Sequence, residues 1–301
     1  MRKFILGAAF AACLTSPVFA DLRVFACEPE WGALSQEIGG EHVDIYTATT
    51  GGQDPHGIQA RPSLIAHARR ADIAVCTGAA LEVGWMPMVR RQASNRAIAE
   101  GAPGDFAATS FVALKEIPTI LDRSQGDLHA PGNPHIQTDP NNIRLVAQAL
   151  AQRFSELDPA NAVAYQAGLT DFLARWDVAL ERWTLEGAPL RGVAIVAQHQ
   201  SWIYLEDWLG LERVALLESQ PGIPPSSGHL AEVVQTLQAH PARMVIRAAY
   251  EDDRPANFIA ERSGIPAVEL PFTVGGTDGA DDLFSLYDET LRRLLAAAAQ
   301  E

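Results

Sequence analysis

The sequence predicts an α/β protein of two lobes, each a mainly parallel sheet covered by helices, bridged by one long rigid helix. Three observations carry this prediction. Short β-branched runs alternate with longer helical patterns, the alternation occurs twice, and a long helical pattern separates the two series. The length agrees: 301 residues, 48% of them hydrophobic and 20% charged, suffice for one large or two ordinary packed domains.

Residues 1–20 read as a secretory signal peptide. Arg2 and Lys3 form a basic start, Phe4 to Leu14 an apolar stretch, Ser16-Pro17 a break, and Val18-Phe19-Ala20 a small-residue cleavage site. A lipidated Cys13 is the alternative, although Phe10 occupies a position where a small aliphatic residue is usual. Export places the remaining cysteines, Cys27 and Cys76, in an oxidising compartment. Each ends a short apolar run, so neighbouring parallel strands would bring the sulfurs to one sheet edge. A disulfide and two separate buried thiols both remain open.

In the first lobe Leu22–Cys27, Val43–Thr49 and Ile73–Cys76 read as strands, separated by helices near Trp31–Ile38 and Pro62–Arg70. Glu100–Pro134 holds four glycines and four prolines and is expected to form loops over one face. A helical stretch covers Asn141–Leu157. Asp158-Pro159 then opens a pattern running to about Trp183, with Tyr165, Leu169, Phe172, Leu173, Trp176 and Leu180 at helical spacing. At about 1.5 Å per residue this is a rod of roughly 40 Å. In the second lobe Val193–Gln198, Val214–Leu217, Met244–Ala248 and Ala267–Leu270 read as strands. Helices are expected near Ile203–Leu209, Ser227–Ala239, Pro255–Ser263 and Leu283–Ala298. The predicted division is a signal peptide over 1–20, an N-terminal lobe over 21–157, a connecting helix over 158–184 and a C-terminal lobe over 185–301.

Twenty-three basic against 37 acidic residues give a formal charge of −14. That charge opposes nucleic-acid backbones and anionic lipid and tolerates a cationic ligand. The eight histidines divide by context. His67 and His240 sit in helical patterns, His42 in a polar turn, and His229 at a helix start, positions that suit surface or capping roles. His56 follows the second strand in Gly51-Gly52-Gln53-Asp54-Pro55-His56-Gly57, and His199 ends the first strand of the second lobe. His135 precedes Asp139-Pro140, and His129 lies in Gly126-Asp127-Leu128-His129. Ligands of open α/β sheets bind beyond the carboxyl ends of the strands, so His56 and His199 are placed where two lobes would face each other. Imidazoles from separate loops suit a borderline ion such as zinc. A carboxylate is expected from the loop Val274–Asp282, where Asp282 reads equally as a plain helix cap before Leu283.

These segments resemble the metal-binding solute receptors of bacterial ABC transporters, the zinc and manganese uptake family. The resemblance rests on Gln53-Asp54-Pro55-His56 followed by Arg61-Pro62-Ser63, and on Asn133-Pro134-His135 with Asp139-Pro140. His199 followed by Trp202 and Tyr204, and Asp282 followed by Phe284, complete it in the same order along the chain. It implies a non-enzymatic periplasmic receptor, monomeric, that carries Zn2+ to a membrane permease; a periplasmic metallochaperone is left open as a further partner. It implies metal ligands at His56, His135, His199 and a carboxylate. Asp278 and Asp281 compete for that last position, and the family's aromatic two residues later selects Asp282. Many zinc-specific members carry a long His- and Asp-rich loop, whereas Glu100–Pro134 holds only His129, expected to be a solvated loop histidine or a second weak metal contact. A manganese or mixed-metal receptor is the nearest alternative. A secreted zinc hydrolase is the other, but Glu28, Glu30 and Asp54, its available bases, belong to no His-Glu-x-x-His motif.

Overall fold

A computed structural model of the chain describes residues 21–119 and 129–300. The expected signal peptide and Cys13 lie outside the described residues, as does the middle of the expected loop segment.

The first lobe runs β1 (Leu22–Ala26), α1 (Pro29–Gly39), β2 (Val43–Thr47), α2 (Pro62–Arg70), β3 (Ile73–Cys76), α3 (Met86–Ala93) and β4 (Asp105–Ala107). Two helices follow, α4 (Pro140–Leu157) and α5 (Ala162–Gly187). The second lobe runs β5 (Ala194–Ala197), α6 (Ile203–Leu209), β6 (Glu212–Leu216), α7 (Ser227–Ala239), β7 (Met244–Ala248), α8 (Asp253–Ser263), β8 (Ala267–Leu270) and α9 (Leu283–Ala298). Strand order is β2-β1-β3-β4 in one sheet and β6-β5-β7-β8 in the other, and every pairing is parallel. Each lobe therefore starts on an inner strand and winds outward on both sides. The switch in winding direction leaves a crevice at the carboxyl ends.

Local chemistry sets the element boundaries. Pro29, Pro62 and Pro140 occupy first-turn positions, where no N–H is needed. The side chains of Asp139, Ser226, Asp252 and Asp282 cap α4, α7, α8 and α9 by accepting first-turn N–H bonds. Gly210 and Gly264 end α6 and α8 in the left-handed conformation, at φ 69° and 67°. β3 is buried along its whole length, as a strand covered on both faces must be.

Helix α5 has 26 residues, about 39 Å at 1.5 Å per residue. The expected opening at Asp158-Pro159 is a short 3-10 turn over Pro159–Asn161 before the α-helix begins. Tyr165, Phe172, Trp176, Ala179 and Trp183 line its buried stripe. They join one apolar cluster that runs from Val24, Trp31 and Phe106 in the first lobe to Ile195, Tyr204 and Tyr287 in the second. Two smaller clusters fill the outer layer of each lobe. Within the expected loop segment the structure shows β4 and a 3-10 turn over Ala108–Phe111. Three residues are too few to carry a readable alternation in sequence. The strands β1 and β3 are hydrogen-bonded neighbours, and Cys27 and Cys76 at their ends form a disulfide.

Candidate metal centre

Three segments converge between the facing edges of the two sheets. The loop after β2 carries His56, the segment before α4 carries His129 and His135, and the end of β5 carries His199. The ring centroids of His56, His135 and His199 stand 5.5 to 5.9 Å apart, and His129 lies 5.3 Å from His56 and 5.8 Å from His135.

Three of the rings are oriented by oxygen acceptors on Nδ1. Asp54 Oδ1 holds His56 at 2.7 Å, Asn133 Oδ1 holds His135 at 2.7 Å, and Glu218 Oε2 holds His199 at 2.6 Å. With Nδ1 committed as donor, each Nε2 is left as the lone-pair nitrogen. His135 Nε2 is buried with no hydrogen-bond partner, and His56 Nε2 stands 3.3 Å from His129 Nε2. Two nitrogens bound to one tetrahedral zinc at about 2.0–2.1 Å stand roughly 3.3–3.4 Å apart. The same spacing suits an N–H···N bond in the metal-free protein. Metal-capable nitrogens of His56, His129 and His135 lie within 4.8 Å of one another.

Electrostatics keep two of these rings, His129 and His135, uncharged. Burial, with His56 and His199 nearby, pushes His129 down to about 3. His135 is pushed well below the usual imidazole value by burial and then by His56, His199 and His129. Burial raises Asp54, but the hydrogen bonds and charge of His56 outweigh it and hold the carboxyl below its ordinary value. A cavity of about 30 Å³, the share of liquid volume of one water, touches His129, His135 and His199.

The surrounding backbone is built to close approach. A Cβ on Gly51 would stand 2.4 Å from the Gly275 carbonyl carbon, so the loop carrying His56 packs directly on the loop after β8. Asn133 donates to the Gln200 carbonyl at 2.7 Å, and the Tyr204 hydroxyl donates to the Asn133 carbonyl at 2.7 Å. Ala79 and Ala80, beside His129, adopt φ of 48° and 68°, a strained pair for residues other than glycine.

Asp282 acts as a helix cap in this structure. Its exposed carboxylate accepts from the Ser285 N–H at 2.7 Å and hydroxyl at 2.8 Å in a capping box at the start of α9, and Asp278 and Asp281 are exposed as well. Among the described residues, the close donor group of His56, His129 and His135 includes neither His199 nor any of the three aspartates. An aspartate immediately before an apolar helical run satisfies both readings in sequence, and here capping uses it. His129 departs in the other direction: it belongs to the imidazole group rather than to a solvated loop. Of the remaining histidines, His67 stacks on Tyr46 with centroids 3.6 Å apart, His229 bonds the Leu216 carbonyl at 3.0 Å, and His240 is exposed.

A second polar group lies at the carboxyl ends of β1 and β3 and was not foreseen as a unit. Glu28, Glu30 and Glu82 are buried together. Glu82 accepts the Thr77 N–H at 2.6 Å, Glu28 the Thr77 hydroxyl at 3.1 Å, and Glu30 the hydroxyl of Thr273 from the other lobe. Burial raises all three carboxyls, Glu30 to about 7.

Comparison with known proteins places the molecule. Residues 24–297 match the family model described as ZnuA, zinc-uptake complex component A, periplasmic. The chain is similar to the manganese ABC transporter substrate-binding lipoprotein PsaA of Streptococcus anginosus, 22% identical over 255 residues, 84% of this chain and 80% of that protein. It is similar to the metal ABC transporter substrate-binding lipoprotein ScbA of Streptococcus cristatus, 22% identical over 269 residues, 88% and 84% of the two chains. Among solved structures it resembles a zinc-bound ZnuA deletion mutant, with TM-score 0.75 and 22% identity over 93% of this chain and all of that one. A manganese-bound periplasmic metal-binding protein from Candidatus Liberibacter asiaticus gives TM-score 0.75 at 16% identity over 92% and 99% of the two chains. At such identities the structural likeness establishes the fold.

Proposed function

The chain belongs to the ZnuA family of metal-binding receptors of ABC transporters, a transport family rather than an enzyme family, and from that premise we propose that its ion is zinc. In this reading the protein is exported by its signal peptide, acts as a monomer in the periplasm, and delivers Zn2+ to the permease of an importer. His56, His135 and His199 hold the ion, and His129 supplies the fourth donor in place of Asp282.

The observation that carries the reading is the locking of three Nδ1 atoms by Asp54, Asn133 and Glu218, which leaves three Nε2 atoms as lone-pair nitrogens, that of His56 standing 3.3 Å from His129 Nε2. An all-nitrogen set favours zinc, whereas manganese prefers oxygen donors. His129 and His135, held neutral, bind without first shedding a proton.

Metal analysis of protein purified without added metal, followed by zinc and manganese competition, tests the assignment. One zinc per chain, retained against excess manganese, is the expected result. Manganese bound in preference at the same stoichiometry would replace zinc by the manganese reading that the lipoprotein relatives carry in their names.

A further inference from the structure

His56 and His199 also border a cavity of about 260 Å³ whose walls further include Asp54, Gln198, Glu218, Tyr250 and Glu251. Its three principal carboxylates arrive on three separate loops, after β2, β6 and β7. Each commits one oxygen to the protein. Asp54 Oδ1 accepts the His56 N–H at 3.0 Å and Nδ1 at 2.7 Å. Glu218 Oε2 accepts His199 Nδ1 at 2.6 Å and the Gly222 N–H at 2.8 Å, and Glu251 Oε2 accepts the Ala248 N–H at 2.7 Å. No donor among the described residues reaches the second oxygen of any of the three.

Gln198 provides an independent observation. Its side chain is buried and gives Nε2 to the Asp252 carbonyl at 2.9 Å, leaving Oε1 buried without a partner. A buried carbonyl oxygen left unpaired costs about 1–3 kcal/mol unless something meets it. Asp252 also borders the cavity, but its carboxylate is clamped by Arg254. Arg247 faces the group from β7, and its guanidinium is spent on the Ala248 and Glu251 carbonyls and the Glu269 carboxylate.

We infer that this cavity is a second cation site, in which the free oxygens of Asp54, Glu218 and Glu251 and the Gln198 carbonyl take a hydrated hard divalent cation while the imidazoles hold their own ion. The donor set is all oxygen, the preference of hard cations. The volume agrees, because six waters occupy about 180 Å³ at roughly 30 Å³ each, so the cation enters with most of its hydration shell. Burial and the charges of Glu218 and Asp54 push the Glu251 carboxyl up to about 8, a repulsion that a bound dication relieves.

The inference rests on the imidazole cluster being the principal metal site, and the experiment separates the two. Full mature protein loaded with zinc is titrated with Mn2+, following free Mn2+ by electron paramagnetic resonance and released zinc with a colorimetric chelator. One Mn2+ per chain is expected, with a dissociation constant of about 10⁻⁴–10⁻³ M, the range of weak oxygen-donor sites, and no zinc released. Glu251→Gln should weaken manganese binding at least tenfold with zinc stoichiometry unchanged, and Gln198→Met provides a second variant should the first fold poorly. Manganese refused while zinc is retained, or bound equally by both variants, overturns the second site and leaves the imidazole site standing. Zinc released one for one with manganese taken up overturns the second site and the zinc assignment together.

Discussion

In the first lobe the inner strand β1 ends on Cys27 and Glu28, disulfide-linked and hydrogen-bonded to the end of β3, whereas in the second lobe its topological counterpart β5 ends on Gln198 and His199. The outward neighbours differ as well: β2 leads into the loop carrying His56, and β6 leads to Glu218, which orients a histidine instead of supplying one. Both sheets have the same strand order and equivalent crevices. The topology therefore fixes where a ligand group stands, and the side chain at each strand end fixes what it does. The first lobe uses its inner strand end for bracing and reaches the imidazole cluster through a longer loop. The second lobe places its imidazole directly on the strand end.

The largest effect that breaks this comparison is loss of an imidazole. His56→Ala and His199→Ala should each lower zinc affinity by orders of magnitude in a competition titration, with His240→Ala as the unaffected control. Equal isotherms in all three would remove the metal site from both strand ends.

Opening the brace should do the reverse, leaving metal binding intact while costing stability. Cys27 and Cys76 are 49 residues apart, and loss of a bridge closing such a loop costs about 4 kcal/mol in the chain-entropy account. Reduction should therefore lower the melting temperature with zinc stoichiometry unchanged. Loss of zinc on reduction would show that the brace and the metal site are one unit.

The orienting acceptors come next. Glu218→Gln removes the carboxylate on His199 Nδ1, and loss of such a partner lowers metal affinity about 10–100-fold. An affinity equal to that of the parent protein would show that packing alone holds the ring.

The two clusters should also respond to pH in opposite directions. Glu30, raised to about 7 by burial, is more readily protonated in the folded chain than in the unfolded one, where carboxyls titrate near about 4.3. Its favourable contribution is full below the unfolded value and is lost as pH rises through about 7. His129, lowered to about 3, takes up its proton preferentially in the unfolded chain below about 6.5. Its contribution is full above that value and falls as pH drops toward 3. Thermal melts of the metal-free protein should show Glu30→Gln flattening the alkaline side by several degrees and His129→Ala flattening the acid side. The same flattening in both variants would contradict the opposition.

The smallest expected effect is at Asp282. Asp282→Ala should cost about 1 kcal/mol, the usual value of an N-cap, and leave zinc affinity unchanged. A large loss of affinity would return the aspartate to the metal.

Periodicity made the fold legible. The strands Ile73–Cys76, Met244–Ala248 and Ala267–Leu270 and the helices Pro62–Arg70, Ser227–Ala239 and Leu283–Ala298 stand where the sequence placed them. Strand β4 and helix α3 escaped because they are short and flanked by irregular backbone. At the site, His56 and His199 were legible from their strand ends. His129 was not, because nothing in Gly126–His129 tells which way the segment folds back. The carboxyls of Glu28, Glu30 and Glu82 were invisible as a group for a related reason: only the pairing of β1 with β3 brings residues 28 and 82 together.

One apolar core runs from β1 along α5 to α9, so packed side chains join the two lobes along the line where a hinge would have to turn. Empty and loaded copies are then expected to share nearly the same outline, with the difference confined to a few loops around the imidazoles. A membrane partner docking on the whole outline would be occupied by empty copies in proportion to their number. Discrimination is then expected to come from the firmness of those loops, with a membrane partner reading stiffness more than shape.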